Sequence, residues 1–532
     1  MTTQPMGMEG DAMSEAKRQG SREADAFRAG PPRERTDVRD YLESIAIAVL
    51  LVLCVRQVVV EAFRIRHGSM APTLVGDHQE LRCPNCGWTF AVGADKVGSR
   101  GQVECPNCRY RWPGGGRFAA QQGRLRFRTP EWLWNTAYTS RGQVLEGTPA
   151  ANRVQRGPAR VFVNKFVYRL RKPRRWEVTV FLFPTYDAYC PDCDWSGEVN
   201  SLEGLKCPEC GNEDLQIEAR NYIKRIVGLP GERIRIRGGD VYADGAILRK
   251  PASVQEELWF HVFDSRFMPR QEVQPTWDLR GARPLWRRDP PGGVLMLDAL
   301  GADEPVLAAF GRPVRDFYPY DGLSYESNLH GFSQGGRHEL GDVRVWARVR
   351  VQENEPGGAV VLSVSDAGHE LTYRVPTGDG AAELANNGLA VRRADTAGIS
   401  PGRSHWVCLE NYDDRAVARL DGRELMRFDY EGAPPGARSI RFGGKGARIL
   451  WERVAIQRDI YYLSVRRGGE AEPVYSLGDE EYLVLGDNSP ASSDSRLWDE
   501  PGIPEDNFIG RAFFVFWPVH HMQWFSGGAV RK

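Results

Sequence analysis

The stretch Arg64-Ile-Arg-His-Gly-Ser-Met-Ala-Pro-Thr-Leu74 follows directly after an apolar segment, and the rest of the chain is organised around it. A serine between glycine and methionine, three residues before a proline, belongs on a short sharp connection rather than inside a regular element. Gly68 permits an unusual backbone path, while Pro72 removes an amide donor and fixes its own φ. Alone, the pattern is an ordinary turn. Two later stretches give it weight. Asn221-Tyr-Ile-Lys-Arg-Ile-Val-Gly-Leu-Pro-Gly-Glu232 sets a lysine in an apolar, strand-like run that ends in a Pro-Gly turn. Leu485-Gly-Asp-Asn-Ser-Pro-Ala-Ser-Ser-Asp-Ser-Arg496 is a polar loop dense in hydroxyls and carboxylates, with one arginine.

A chain of 532 residues is too long for one ordinary core and suggests roughly three or four units. A net charge of +0 names no nucleic-acid partner. With 57 Gly, 15 Trp and 41% hydrophobic residues, the composition reads as folded, turn-rich and more β than α. Residues 1–40 mix both charge signs with Gly, Ser and Pro and show no apolar period, as a mobile tail does. An uninterrupted apolar run covers Ile45 to Val55. From Leu42 through Val60 the span reaches the roughly 20 residues a bilayer requires, with Glu43 and Arg56 near its ends able to snorkel. The 40-residue leader and the lack of a small-x-small site after the run point to a retained anchor rather than a cleaved signal. Flanking arginines on both sides leave its orientation open.

Eight of the ten cysteines fall in Cys-x-x-Cys pairs. Cys83, Cys86, Cys105 and Cys108 form one set, and Cys190, Cys193, Cys207 and Cys210 a second. Each pair makes a tight knuckle, and two knuckles complete a closed tetrahedral site, so two structural zinc ions are expected; paired disulfides are the alternative. Between Arg117 and Arg175 bases far outnumber acids, which suits either a solvated basic loop or a face resting on anionic headgroups.

Arg160-Val-Phe-Val-Asn-Lys-Phe-Val-Tyr168 and Trp176-Glu-Val-Thr-Val-Phe-Leu-Phe183 read as strands, and Asp244-Gly245 marks a hairpin turn. Residues 251–458 stand apart from this frame. Val343–Val351, Ala359–Val364, His405–Leu409, Ala416–Leu420 and Ile449–Ile456 are short strands, and Asp421-Gly422 closes a hairpin. Their spacing suggests a β-sandwich that loosely resembles laminin-G or concanavalin-like jelly rolls; such folds often bind glycans, and a glycan ligand, a protein ligand and a structural role are the alternatives.

In their order behind a membrane-sized segment, the three opening stretches resemble the type I signal peptidases. The likeness covers roughly residues 42–81, 159–189, 220–250 and 459–518. It implies a mainly β fold: an antiparallel catalytic domain behind one transmembrane helix, with two small zinc ribbons and an inserted sandwich. The expected layout is a cytoplasmic tail (1–41), an anchor (42–60), catalytic parts at 61–81, 159–189, 212–250 and 459–532, ribbons at 82–112 and 190–211, a basic linker at 113–158 and the sandwich at 251–458. The resemblance further implies that Ser69 is the nucleophile and Lys224 its general base, with no cofactor for the chemistry. The Ser69 amide would donate to the oxyanion, Ser492 would orient the lysine amine, and Asp494 would hold the loop with Arg496 or Arg225. The implied partners are signal peptides of preproteins, membrane lipid and the secretion translocon, at the inner membrane of a bacterium with the catalytic domain on the exterior face.

Three departures from the family pattern stand out. Trp176-Glu177 replaces a usual Gly-Asp pair, Ser489-Pro490-Ala491 replaces Arg-Asp-Asn, and His67 stands where serine or threonine commonly completes the oxyanion hole; an imidazole N–H can donate in its place. The competing readings are a non-catalytic anchored scaffold and a self-cleaving Ser–Lys protein related to the SOS repressors.

Overall fold

A computed structural model describes residues 41–50, 59–94, 102–113, 126–127, 137–138, 153–193, 195–199, 204–279, 285–289, 293–321, 336–366, 368–432, 436–465, 472–519 and 522–525. The chain divides into two units, residues 1–59 and 60–532. In the first, residues 41–50 are helical, with Leu42, Ile45, Ile47, Val49 and Leu50 exposed. No helix among the described residues is long and apolar enough to cross a membrane. The expected span falls partly on residues 51–58, outside the described residues, as do the tail and most of the basic linker.

The second unit is mainly β. Its frame is an antiparallel sheet in the order Val60–Arg64, Arg160–Asn164, Phe508–Trp517, Val178–Tyr189, Gln216–Gly228, Glu481–Leu485, Gly502–Pro504. Alternation of Val and Phe between polar residues explains the strands at Arg160 and Val178, since one face of each packs into a common core with Ile65, Met70 and Leu74. A smaller sheet, Arg233–Arg237, Asp240–Ala243, Ala246–Ile247 and Val474–Ser476, leans on the far side of the lysine strand. Asp244 and Gly245 turn its hairpin with φ of 50° and 86°, as the Asp-Gly signal predicts.

Two local readings change. The strand expected over Arg160–Tyr168 stops at Asn164, because the Asn164 side chain accepts the amides of Phe166 and Val167 at 2.9 and 3.0 Å and turns the chain into the short helix Val167–Leu170. The end of the basic stretch, Arg153–Arg156, is a strand that pairs with His78–Arg82.

Residues 260–458 build a thirteen-stranded antiparallel sheet system around two long strands, Val343–Asp366 and Ser439–Arg458. Val343–Val351 and Ala359–Val364, expected as separate strands, are one strand broken only by bulges. Its first half pairs with Ser404–Tyr412 and its second with His369–Pro376, and both halves feed one apolar core. Strands Leu389–Thr396 and Arg423–Asp429, the last strands of the two wings, come together without pairing.

Two contacts fix this insertion to the frame. The buried Lys250 amine bridges Asp413 and Asp459, the latter at 2.9 Å. At the first cysteine cluster, both knuckle asparagines reach into the insertion. The Asn85 amide donates to Gln271 O at 2.8 Å, and Asn107 donates to Phe267 O at 2.7 Å while accepting the Asp264 amide at 2.7 Å. Trp88 stacks on His261 at 3.7 Å.

The lysine strand is tied to the polar loop by Arg225, whose fully buried guanidinium grips Asp487 through Nε at 2.9 Å and a terminal nitrogen at 2.8 Å. Replacing Asp487 with Ala removes the bidentate partner and leaves that buried cation only the longer contact to Glu257 at 3.3 Å. Unfolding by urea is expected to show a loss of about 3–5 kcal/mol, and a loss below about 1 kcal/mol would show the pair to be dispensable.

Candidate active site

The last five residues of the strand Gln216–Gly228 are buried, and Lys224 sits opposite Thr179 of the neighbouring strand with 2% of its surface exposed. Its amine donates to Ser69 Oγ at 2.8 Å. Burial pushes the lysine pKa from 10.5 down to about 8; Asp494 and Asp487 pull it partly back, and Arg496 opposes them. The amine also lies 5.4 Å over the Tyr222 ring. Ser69 stands on a tight turn closed by Ala71 N to Gly68 O at 3.0 Å and Leu74 N to Met70 O at 2.8 Å. Met70, fully buried, anchors the turn in the core. Among the described residues, the Ser69 amide donates to no backbone carbonyl.

The polar loop packs against this turn. Asp494 and Arg496 form a buried pair at 2.7 Å; Asp494 also accepts the Gly486 amide at 3.0 Å, and Arg496 donates to Leu463 O and Ser489 Oγ. Arg496 is thus the partner of Asp494, whereas Arg225 takes Asp487. Gly486 has no room for a side chain, since a Cβ there would lie 2.1 Å from Ser492 Oγ and 2.5 Å from Ser69 O. Ser492 lies beside the turn, but its buried Oγ has no hydrogen-bond partner among the described residues, and the hydroxyl bonded to the lysine is that of Ser69. His67 is exposed, and its imidazole has no hydrogen bond among the described residues.

Four positions near the site receive no role from the sequence, although Asn488 stands within the polar loop singled out there. Asn488 donates its amide to Ser69 O at 2.9 Å and its side chain to Gly68 O at 3.1 Å. Tyr320 and Asp321, from the insertion, touch the serine turn and Asn488. Glu177 is fully buried and accepts Arg174 N at 3.1 Å and Tyr168 Oη at 3.3 Å. The only available signal was the departure at Trp176-Glu177, and it has a conformational meaning: Trp176 holds φ of 71°, a region that glycine enters without strain.

Both cysteine sets converge, and within each set the four sulfurs lie within 4.8 Å of one another. The closest Sγ–Sγ distances are 3.6 Å in the first set and 3.4 Å in the second, and all eight thiols are free. A disulfide requires about 2.0 Å. A tetrahedron of thiolates around zinc, with bonds of about 2.3 Å, has edges near 3.8 Å. The donor set and its spacing therefore fit two structural zinc ions, and Arg312, which donates to Asn107 O, supplies a cation beside the first.

Comparison with known proteins agrees with this geometry in part. The family described as signal peptidase, peptidase S26, matches residues 144–275 and 455–517, which include Lys224 and the polar loop but not Ser69. A probable signal peptidase I-2 from Synechocystis is 40% identical over 67 residues, 12% of this chain and 30% of that protein. Signal peptidase I from Leptolyngbya laminosa is 41% identical over 58 residues, 10% of this chain and 28% of that one, and the enzyme from Pseudomonas fluorescens is 41% identical over 58 residues, 8% and 20%. The chain thus spans 20–30% of the length of these curated relatives. A carbohydrate binding module from Bacillus subtilis aligns with 35% of this chain and 97% of its own at 12% identity and a TM-score of 0.23; a Bacillus licheniformis beta-glucanase reaches 0.25 at 9% identity, over 37% and 97%. Scores at that level carry no argument.

Elemental analysis of protein purified without added metal is expected to find two zinc ions per chain, falling to one in Cys83→Ser. No zinc in the wild type, together with intrachain disulfides by mass spectrometry, would overturn the assignment. The lysine permits a second test. Its pKa is lowered on folding, so between about 8 and 10.5 the unfolded chain binds more protons and stability rises with pH. At pH 7 the buried ammonium costs on the order of 3 kcal/mol, before any loss from the Ser69 bond is counted. Lys224→Met is expected to unfold at higher denaturant than wild type at pH 7, with the advantage shrinking toward pH 10. An advantage independent of pH would place the titration elsewhere.

Proposed function

We propose that the chain is a membrane-anchored serine endopeptidase that removes signal peptides from exported preproteins after small-x-small sites. The observation that supports this best is the 2.8 Å contact between Ser69 Oγ and a buried lysine whose pKa lies near 8. At pH 7 about a tenth of such amines are neutral, against well under a thousandth of ordinary lysines.

Lys224 takes the hydroxyl proton as Ser69 Oγ attacks the scissile carbonyl, then passes it to the leaving amine. The acyl-enzyme that remains is opened by a water molecule that the same amine deprotonates. The Ser69 amide donates to the oxyanion, and His67 is the second donor in this reading. Arg496 offsets part of the pull of Asp494 on the amine, so the two carboxylates recover only part of what burial takes from the ammonium.

An apolar face supports contact with lipid. Phe162 stacks on Phe516 at 4.1 Å, Trp524 lies over Phe514 at 4.4 Å, and Trp517, Val519, Met522 and Trp524 are exposed, Trp524 at 71%. Phe162 lies on Arg160–Asn164, which pairs with Val60–Arg64, the strand that follows the proposed anchor, and the other residues lie on or beside Phe508–Trp517, one strand further on. Amphipathic rings of this kind suit a membrane interface.

Incubation with a preprotein whose signal ends in Ala-x-Ala tests the assignment. Ser69→Ala and Lys224→Ala are each expected to abolish cleavage while keeping the fold, and substantial cleavage by either removes the dyad. In wild type, single-turnover rates should rise about tenfold per pH unit up to about 8 and level off above it. His67→Ala is expected to lower kcat toward 10²-fold, the low end for an oxyanion donor because water competes at an exposed site, and His67→Ser to recover much of it. Cleavage by His67→Ala within a few-fold of wild type would leave the Ser69 amide as the donor without it.

A further inference from the structure

The insertion reaches the nucleophile. The turn Pro319–Asp321 packs against the strand Thr89–Gly93 on one side and against the serine turn on the other. The Tyr320 ring lies so close to Gly68 that a Cβ there would fall 2.0 Å from Cε1, and its hydroxyl donates to Asp77 O at 3.0 Å. Asp321, buried at 8% exposure, accepts a hydrogen bond from the Asn488 side-chain amide at 3.0 Å. The same amide nitrogen donates its other hydrogen to Gly68 O at 3.1 Å. In the opposite orientation the amide oxygen would face Gly68 O and the Asp321 carboxylate, both of them acceptors.

The carbonyl held in this way belongs to the peptide that also carries the Ser69 N–H. In a trans peptide, C=O and N–H point in opposite directions within one plane. Fixing Gly68 O therefore fixes the direction of the Ser69 N–H. A donor aimed before the reaction acts on the oxyanion without reorganisation. A carboxylate also sets which way an asparagine amide points, because only the NH2 end can donate to it.

We propose that Asp321 is a positioning residue for the oxyanion donor: through Asn488 it orients the Gly68–Ser69 peptide, so the sandwich insertion is part of the catalytic unit. This rests on the Ser69–Lys224 reading above.

Three forms of the full chain test it: wild type, Asp321→Ala, and Asp321→Asn, which keeps an oxygen able to accept from Asn488. Steady-state cleavage of the preprotein gives kcat and KM, hydrogen–deuterium exchange follows residues 66–76, and thermal melts monitor the fold. Asp321→Ala is expected to lose about 10–100-fold in kcat with KM within twofold, and to exchange faster over 66–76. Asp321→Asn should stay within about threefold in kcat and exchange as wild type does. A kcat for Asp321→Ala within threefold of wild type, or unchanged exchange, overturns the proposal. Equal losses in both variants that follow their melting temperatures also overturn it, since the residue would then be merely structural. If wild type does not cleave preprotein, the peptidase reading fails separately, and the exchange data alone decide whether Asp321 holds the serine turn.

Discussion

Two consecutive cations on one buried strand make opposite demands on the protein. Lys224 and Arg225 point to opposite faces, as neighbours in a strand must. Arg225 cannot lose its proton, so it is matched by Asp487 in a bidentate pair deep in the interior. In the proposed reaction Lys224 has to reach its neutral form, and its amine meets the Ser69 hydroxyl instead of a carboxylate. The nearest acids are both engaged elsewhere, Asp494 with Arg496 and Asp487 with Arg225. Much of the polar loop can be understood as satisfying the arginine without charging the lysine. That arrangement depends on the strand staying in register, since a slip of one residue would exchange the two faces.

Where chemistry was local, the sequence showed it. Asp244-Gly245 and Asp421-Gly422 need only their own backbone to make a turn, with left-handed φ at both residues of each. The cysteine pairs carry their geometry in the two-residue spacing. The Ser-Lys pairing was visible from the order of three motifs, although 155 positions separate the two residues. What stayed hidden was non-local. Nothing around Asp321 distinguishes it from other acidic turn residues until the fold brings Asn488 beside it. Arg160–Tyr168 had the composition of one strand throughout, and a single side chain, Asn164, ended it by capturing two amides. The proposed membrane anchor is a third kind of case, read from composition alone, since residues 51–58 fall outside the described structure.

The first cysteine cluster and the second serve the fold differently. The first is buried, and its knuckle asparagines bind the insertion, so a metal there would set the position of residues 260–271 relative to the frame. The second lies at the end of the long hairpin formed by Val178–Tyr189 and Gln216–Gly228, with Cys210 exposed and with the acids Asp192 and Glu209 where the first carries asparagines. One signature in the sequence thus marks an internal joint and an external tip.

The serine turn is made early in the chain, and its supports come late. Gly68 is held by a residue 420 positions downstream, and the pair that anchors the polar loop lies later still. During synthesis the ribosome therefore releases Ser69 long before it releases the groups that hold its turn. Until the last strands emerge, the emerging chain carries Ser69 and Lys224 without the loop that packs against them, so the proposed activity belongs to the finished fold alone.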